Sequence, residues 1–181
     1  MAVPTAFFSP AGLISSIDGG RTWTVRSRGG ESDFHALTAA GAGAIGFDGA
    51  LRTSRDRQSW SESSIDVPPF ALTADPTGRT VLATTEQGLR RSTDGALSFT
   101  PVADAPLLML TASAGARSFL GVTPEGRLWA SGDSGLTWSP RGRVEGQPQA
   151  LAARGEQVAV VADERVFVSH DEGVTVTAID S

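Results

Sequence analysis

One short pattern recurs five times along the chain at almost constant spacing. It reads SIDGGRTW at Ser16–Trp23, SRDRQSW at Ser54–Trp60, STDGALSF at Ser92–Phe99, SGDSGLTW at Ser131–Trp138 and SHDEGVTV at Ser169–Val176. The leading serines Ser16, Ser54, Ser92, Ser131 and Ser169 stand 38, 38, 39 and 38 residues apart, and Asp18, Asp56, Asp94, Asp133 and Asp171 keep step with them. A lone Ser-x-Asp is noise. Five in phase mean that each unit is one supersecondary element stacked on its neighbours.

The residues between the boxes say what that element is. Before each of the last four boxes lie two strand-length apolar runs: FHALTAA and AIGF, FALTA and VLATT, LLMLTA and SFLGV, QALAA and QVAVVA. Turn clusters such as ADPTG, ASAGA and ARGE separate them,. A third run leads into the box (ALRTS, GLRRS, RLWAS, RVFVS) and a fourth leaves it. No window carries helical periodicity free of Gly, Pro or turn residues. Four short antiparallel strands per unit of about 40 residues is the arithmetic of a propeller blade. The fold expected is all-β: a β-propeller of four-stranded antiparallel blades, with five repeats of 38 residues and an incomplete first blade. The blades fall at 1–30 (partial), 31–67, 68–105, 106–146 and 147–181. FDGAL and PEGRL, between second and third strands, read as two-residue hairpin turns with Gly49 and Gly126 at positive φ; TEQGL and ADERV read as looser turns,.

Within a box the Asp can accept hydrogen bonds from the N–H groups of its own turn, Gly can take the left-handed conformation, and the closing aromatic can cover adjacent strands. These residues are therefore read as structural: Ser16, Asp18, Gly20, Trp23, Ser54, Asp56, Trp60, Ser92, Asp94, Phe99, Ser131, Asp133, Gly135, Trp138, Ser169, Asp171 and Gly173. Imperfect copies favour that reading. The second box lacks a residue and its Gly, the third has Ala96 in the Gly position, and the fifth closes in Val176.

Composition narrows the function classes. The 181 residues include 20 acids against 15 bases, all Arg, and no basic run, which argues against nucleic acid as a partner,. There is no Cys and there are only two His, so no metal site and no cofactor is expected,. No apolar stretch reaches the roughly 20 residues of a membrane span. The N-terminal MAVPTAFFSPAG lacks the basic start of a secretory signal,. The absence of Lys, Asn and Tyr, whose codons are AT-rich, points to a high-GC genome.

The boxes resemble the Asp-box, or BNR, signature S-x-D-x-G-x-T-W, nearly intact at Ser16–Trp23 and complete at Ser131–Trp138. That superfamily consists of propellers and includes sialidases, xyloglucan-cleaving glycoside hydrolases, the luminal domain of sortilin-type receptors and a photosystem II assembly factor. The runs GLISSIDGGRTW, DFHALTAAG, GFDGALRTS and TTEQGLRRSTDG are most similar to uncharacterised actinobacterial Asp-box proteins labelled glycosyl hydrolase by fold. The resemblance implies an extracytoplasmic protein with a signal peptide and a further blade upstream. This chain has neither, so it is expected to be either a piece of a longer propeller or a ring closing with five blades.

The resemblance raises glycoside hydrolysis, and the residues weigh against one form of it. Sialidase-type catalysis uses a tyrosine nucleophile, and the chain has no Tyr,. A two-carboxylate mechanism stays open as the alternative. The face opposite the boxes collects the second-to-third-strand turns and the links between blades, with Asp33, Asp48, Glu125 and Arg127 among its charged residues. His35, in SDFHAL, stands where the other blades place Phe70, Leu108 and Gln149. His35, Asp33, Asp48, Glu125 and Arg127 are the candidate ligand-binding residues. The function expected is a non-catalytic binding or scaffold propeller that presents this face to a glycan or a protein.

Overall fold

The computed structural model describes residues 9–179, and among them every regular element is a strand. Strands β1 (Leu13–Ser15) and β2 (Thr24–Ser27) pair as an antiparallel hairpin. Four four-stranded antiparallel sheets follow. Blade 1 holds β3 (Ala36–Ala40), β4 (Gly43–Phe47), β5 (Leu51–Ser54) and β6 (Ser61–Ser63). Blade 2 holds β7 (Pro69–Ala74), β8 (Val81–Thr85), β9 (Gly88–Ser92) and β10 (Thr100–Pro101). Blade 3 holds β11 (Leu110–Ser113), β12 (Phe119–Val122), β13 (Arg127–Ser131) and β14 (Ser139–Arg143). Blade 4 holds β15 (Pro148–Arg154), β16 (Gln157–Ala162), β17 (Arg165–Ser169) and β18 (Thr177–Ile179). Each meanders from an inner first strand to an outer fourth, as a propeller blade does,.

Among the described residues the count differs from the five repeats expected: there are four blades, preceded by a hairpin of two strands. The stretch AVPTAFFSP, residues 2–10, was expected to add one more strand to that hairpin, and residues 1–8 lie outside the described part of the chain.

Blades pack face to face because strand side chains alternate, giving each sheet two apolar faces. Ile45 and Leu51 of blade 1 meet Leu72, Val81 and Ala83 of blade 2. Leu82 and Leu89 of blade 2 meet Leu108 and Phe119 of blade 3. Leu120, Val122 and Leu128 of blade 3 meet Val158, Val160 and Phe167 of blade 4. Threonines tie neighbouring inner strands across these seams. Thr73 Oγ1 donates to Thr111 O at 2.7 Å, Thr111 Oγ1 to Thr73 Oγ1 at 2.9 Å, and Ala74 N to Thr38 Oγ1 at 3.2 Å.

The turn chemistry reverses the expectation. Asp48–Ala50 and Pro124–Gly126 are three-residue loops, whereas Glu86–Gln87 and Asp163–Glu164 separate paired residues by only two. Asp163 and Glu164 both take positive φ, 45° and 62°. A primed turn thus forms without glycine, because Asp tolerates the left-handed region and the flanking ladder fixes the register.

Candidate functional site

Two faces run around the blades, and the boxes occupy one of them. In the box of blade 3, the Asp133 carboxylate accepts from Ser131 Oγ (2.8 Å), Leu136 N (3.1 Å), Thr137 N (2.9 Å) and Thr137 Oγ1 (2.6 Å). Ser131 Oγ in turn accepts from Gly135 N at 2.9 Å. The same constellation surrounds Asp18, through Ser16 and Thr22, and Asp94, through Ser92 and Ser98. Ser169 and Asp171 repeat it in blade 4. The shortened box keeps a reduced form, with Asp56 accepting from Gln58 N and Ser59 N, both at 2.8 Å, and from Ser54 Oγ at 3.2 Å.

These donors hold all five carboxyls at a pKa of about 2. The Thr22 hydroxyl dominates for Asp18, the Gln58 amide for Asp56, the Ser98 hydroxyl for Asp94 and the Ser169 hydroxyl for Asp171. At Asp133 partial burial opposes the shift and is outweighed by Thr137 and Ser131. Carboxylates so committed to their own turn are poor proton donors near neutral pH. The turn itself needs two successive positive-φ residues: Gly19 and Gly20, Gly95 and Ala96, Ser134 and Gly135, Glu172 and Gly173. The second box, one residue shorter, has only Arg57 at φ 62°.

The opposite face carries the residues singled out from sequence. Asp48, at the end of β4, has a side chain only 5% exposed. It accepts from Ser32 Oγ at 2.5 Å and from Arg52 Nε at 2.8 Å, with Arg28 Nη2 at 3.8 Å. Its pKa is lowered although burial pulls the other way, because Ser32 and Arg52 stabilise the anion. Arg28, which also contacts Ser32 Oγ and Glu31, and Arg52, which reaches Glu62, complete a polar cluster that joins the hairpin-to-blade link to blade 1. Sequence reasoning placed Asp48 and Arg28 on this face but missed Ser32 and Arg52. Ser32 lies 16 residues from Asp48, whereas Arg52 follows it by four, across the β4–β5 hairpin.

Asp33 and His35 are exposed, and no hydrogen bond joins their side chains among the described residues. His35 immediately precedes β3, and its backbone N–H donates to Phe47 O at 2.9 Å. Glu125 lies at the tip of the β12–β13 turn. Its carboxyl is held below the ordinary carboxylate range by its own backbone N–H, with the nearby Thr123 hydroxyl and Arg143 charge acting in the same direction. Arg127 opens β13, exposed, opposite Arg143 in the ladder. The structure therefore puts all five candidates on one face, spread over blades 1 and 3. Only Asp48 is drawn into a cluster, and that cluster does not include the other four.

A concave apolar site on that face was not anticipated from the sequence. Phe70, Thr85 and Glu86 of blade 2 and Leu107, Leu108, Met109 and Pro124 of blade 3 line a pocket of about 460 Å³. Phe70 is 63% exposed and Leu107 59% exposed, while Leu108 beneath them is buried. Thr84 Oγ1 donates to Met109 O at 2.9 Å and fixes the seam behind it. Glu86 is the charged residue of the lining, exposed and without an ion pair among the described residues. The legible signal was the position of Phe70, which aligns with His35. What sequence could not supply is that β7 delivers Phe70 to a seam where the link Ala103–Met109 leaves Leu107 outside.

No protein-family model matches the chain, and no curated protein sequence matches it. Solved structures do. YCF48 from Cyanidioschyzon merolae superposes with a TM-score of 0.63 at 11% identity, covering 82% of this chain and 56% of that one. The GH74 enzyme of Niastella koreensis gives a TM-score of 0.64 at 18% identity, covering 78% of this chain and 23% of that one. A structure of YCF48 bound to a D1 peptide gives a TM-score of 0.51 at 15% identity, covering 93% of this chain and 76% of that one. The chain thus spans about half the length of the first of these and a quarter of the second. Together with the four blades, these matches place the protein among β-propeller folds, which host both binding proteins and glycosidases.

Proposed function

We propose that the chain is a non-catalytic binding propeller that takes a peptide segment of a protein partner on the face opposite its boxes. One apolar side chain of that segment seats between blades 2 and 3. The observation that carries the reading is the pocket walled by Phe70 and Leu107. Two large apolar residues side by side in solvent, over a concave apolar floor, are what a binding face presents. The pocket's size suits an anchor side chain, and Glu86 at its rim favours a basic neighbour in the ligand. His35, Asp33, Glu125 and Arg127 supply polar contacts elsewhere on the same face. A peptide-bound YCF48 of the same fold is a precedent for the mode, at an identity that speaks only for the fold.

The repeats are those of an Asp-box propeller on this reading, with the boxes as blade corners. A glycan is the less favoured ligand, because Trp60, Trp129 and Trp138 are taken up by the boxes and seams, and the exposed Phe70 stands over an apolar lining whose charged group is Glu86 alone, which offers few partners to sugar hydroxyls. A two-carboxylate glycosidase would need a free acid and base facing each other across a cleft. Asp48, the best-placed acid, is saturated by Ser32 and Arg52.

The test is selection of random peptides displayed on phage against the protein, beside a polysaccharide panel assayed for binding and hydrolysis. Selected peptides should share an apolar anchor and lose binding to a Phe70→Asp variant. Polysaccharide hydrolysis, or peptides indifferent to Phe70→Asp, would overturn the reading.

A further inference from the structure

We infer that the box face carries a second site, a pocket between blades 1 and 2 that takes an arginine side chain of a partner protein. It lies on the face opposite the one described above and does not depend on it. The pocket, of about 350 Å³, is walled by Ile45 and Thr53 of blade 1, by Arg55, and by Asp94, Gly95 and Leu97 of the next box. The β3–β4 and β7–β8 turns close one side of it by touching each other. A Cβ built at Gly78 would lie 2.9 Å from Ala40 C, and one at Gly41 3.1 Å from Thr77 O. Both walls belong to complete blades in the interior of the chain.

What fills the other two seams identifies the occupant. Between blades 2 and 3, Arg91 stands just before the box serine Ser92, reaches the following box and donates from Nε to Ser134 O at 2.7 Å. Between blades 3 and 4, Arg141 stands three residues after Trp138 and pairs with Glu172 of the following box at 3.5 Å. That seam keeps a pocket of only about 90 Å³. Blade 1 has Thr53 in the place of Arg91 and Ser63 in the place of Arg141. Both are short, and Ser63 Oγ goes no further than Ala96 O, at 2.6 Å. Gly95, in the position of Ser134, lines the space so left, and its carbonyl accepts no hydrogen bond among the described residues.

The chemistry of the wall agrees with that occupant. Backbone carbonyls only accept, so a ligand must bring donors, and a guanidinium brings five in a flat, weakly hydrated fork. Arg57 shows the β3–β4 turn holding one: its Nε donates to Gly43 O and its Nη2 to Gly41 O, both at 3.3 Å. Ile45 and the exposed Leu97 offer apolar surface to the methylenes of the arginine stem,. The charged residues of the lining, Arg55 and Asp94, are opposite in sign, so the lining carries no net charge against an entering cation.

The test uses N-acetyl-arginine methylamide as the probe, titrated into the isotope-labelled chain and followed by the amide signals of Thr53 and Gly95. The citrulline analogue, matched in shape and uncharged, is the control. The signals should shift saturably with arginine, half-maximally at millimolar concentration, and citrulline should bind roughly 10-fold more weakly or not at all. Thr53→Arg, which supplies the guanidinium in cis, should abolish the arginine shifts. It should also melt above Thr53→Met, whose side chain is long but carries no donor. Should Thr53→Arg not fold, the contrast between arginine and citrulline on wild type still decides. Shifts that stay linear, that are as large with citrulline, or that persist in Thr53→Arg would overturn the proposal, as would a Thr53→Arg variant that melts below Thr53→Met.

Discussion

Gly135, in the box of blade 3, rests directly on Leu82 in the middle strand of blade 2. A Cβ built at Gly135 would come within 2.7 Å of Leu82 Cδ2, and the residue takes φ +83°. The relationship ties the repeat's most visible motif to the seam between blades. The box is a corner of its own blade and also a wedge against the preceding one.

That double duty separates two glycines that look alike in sequence. Gly20 has the same backbone, φ +85°, with only Trp23 nearby. Gly20→Ala should cost about 1 kcal/mol for the left-handed conformation alone, and Gly135→Ala about 2 to 4 kcal/mol, because overpacking adds to it. Chemical denaturation of both variants checks this. Equal losses would remove the wedge from the account.

Asp133→Ala should destabilise by about 1 to 3 kcal/mol, since the Leu136 and Thr137 amides lose their acceptor,. Binding on the opposite face should be unaffected. Thermal melting and peptide affinity, measured on one sample, read the two effects separately.

The boxes also set the response to acid. A carboxyl with a pKa of about 2 when folded and 3.8 when unfolded binds its proton more weakly in the folded chain. The unfolded state therefore takes up protons first as pH falls. The stability the boxes contribute is complete above about pH 4 and is lost as pH falls toward 2. Denaturation midpoints should hold steady from pH 7 to about 4.5 and then drop, with a shallower drop in Asp94→Asn. A profile in that variant matching wild type would assign acid sensitivity to other groups.

Much of the fold was legible because it is written locally. Alternating apolar runs gave the strands, and Ser131 to Trp138 gave the corner, since each box closes hydrogen bonds within a few residues of sequence. The turns were read less well. The glycines of FDGAL and PEGRL drew attention to three-residue loops, while Asp163 and Glu164 make the tighter turn without any glycine. The binding face was the least legible. The bond of Asp48 to Ser32, and the meeting of Phe70 with Leu107, depend on how blades and links are brought together. Neither follows from a motif.

The most direct measurement of the central claim is the affinity of a selected apolar-anchored peptide for wild type and for Phe70→Asp and Leu107→Asp. Both residues are more than half exposed, so both variants should fold. The account predicts a loss of about 10- to 100-fold in each, with melting temperatures unchanged and no polysaccharide cleaved. Undiminished peptide affinity in both variants would contradict it.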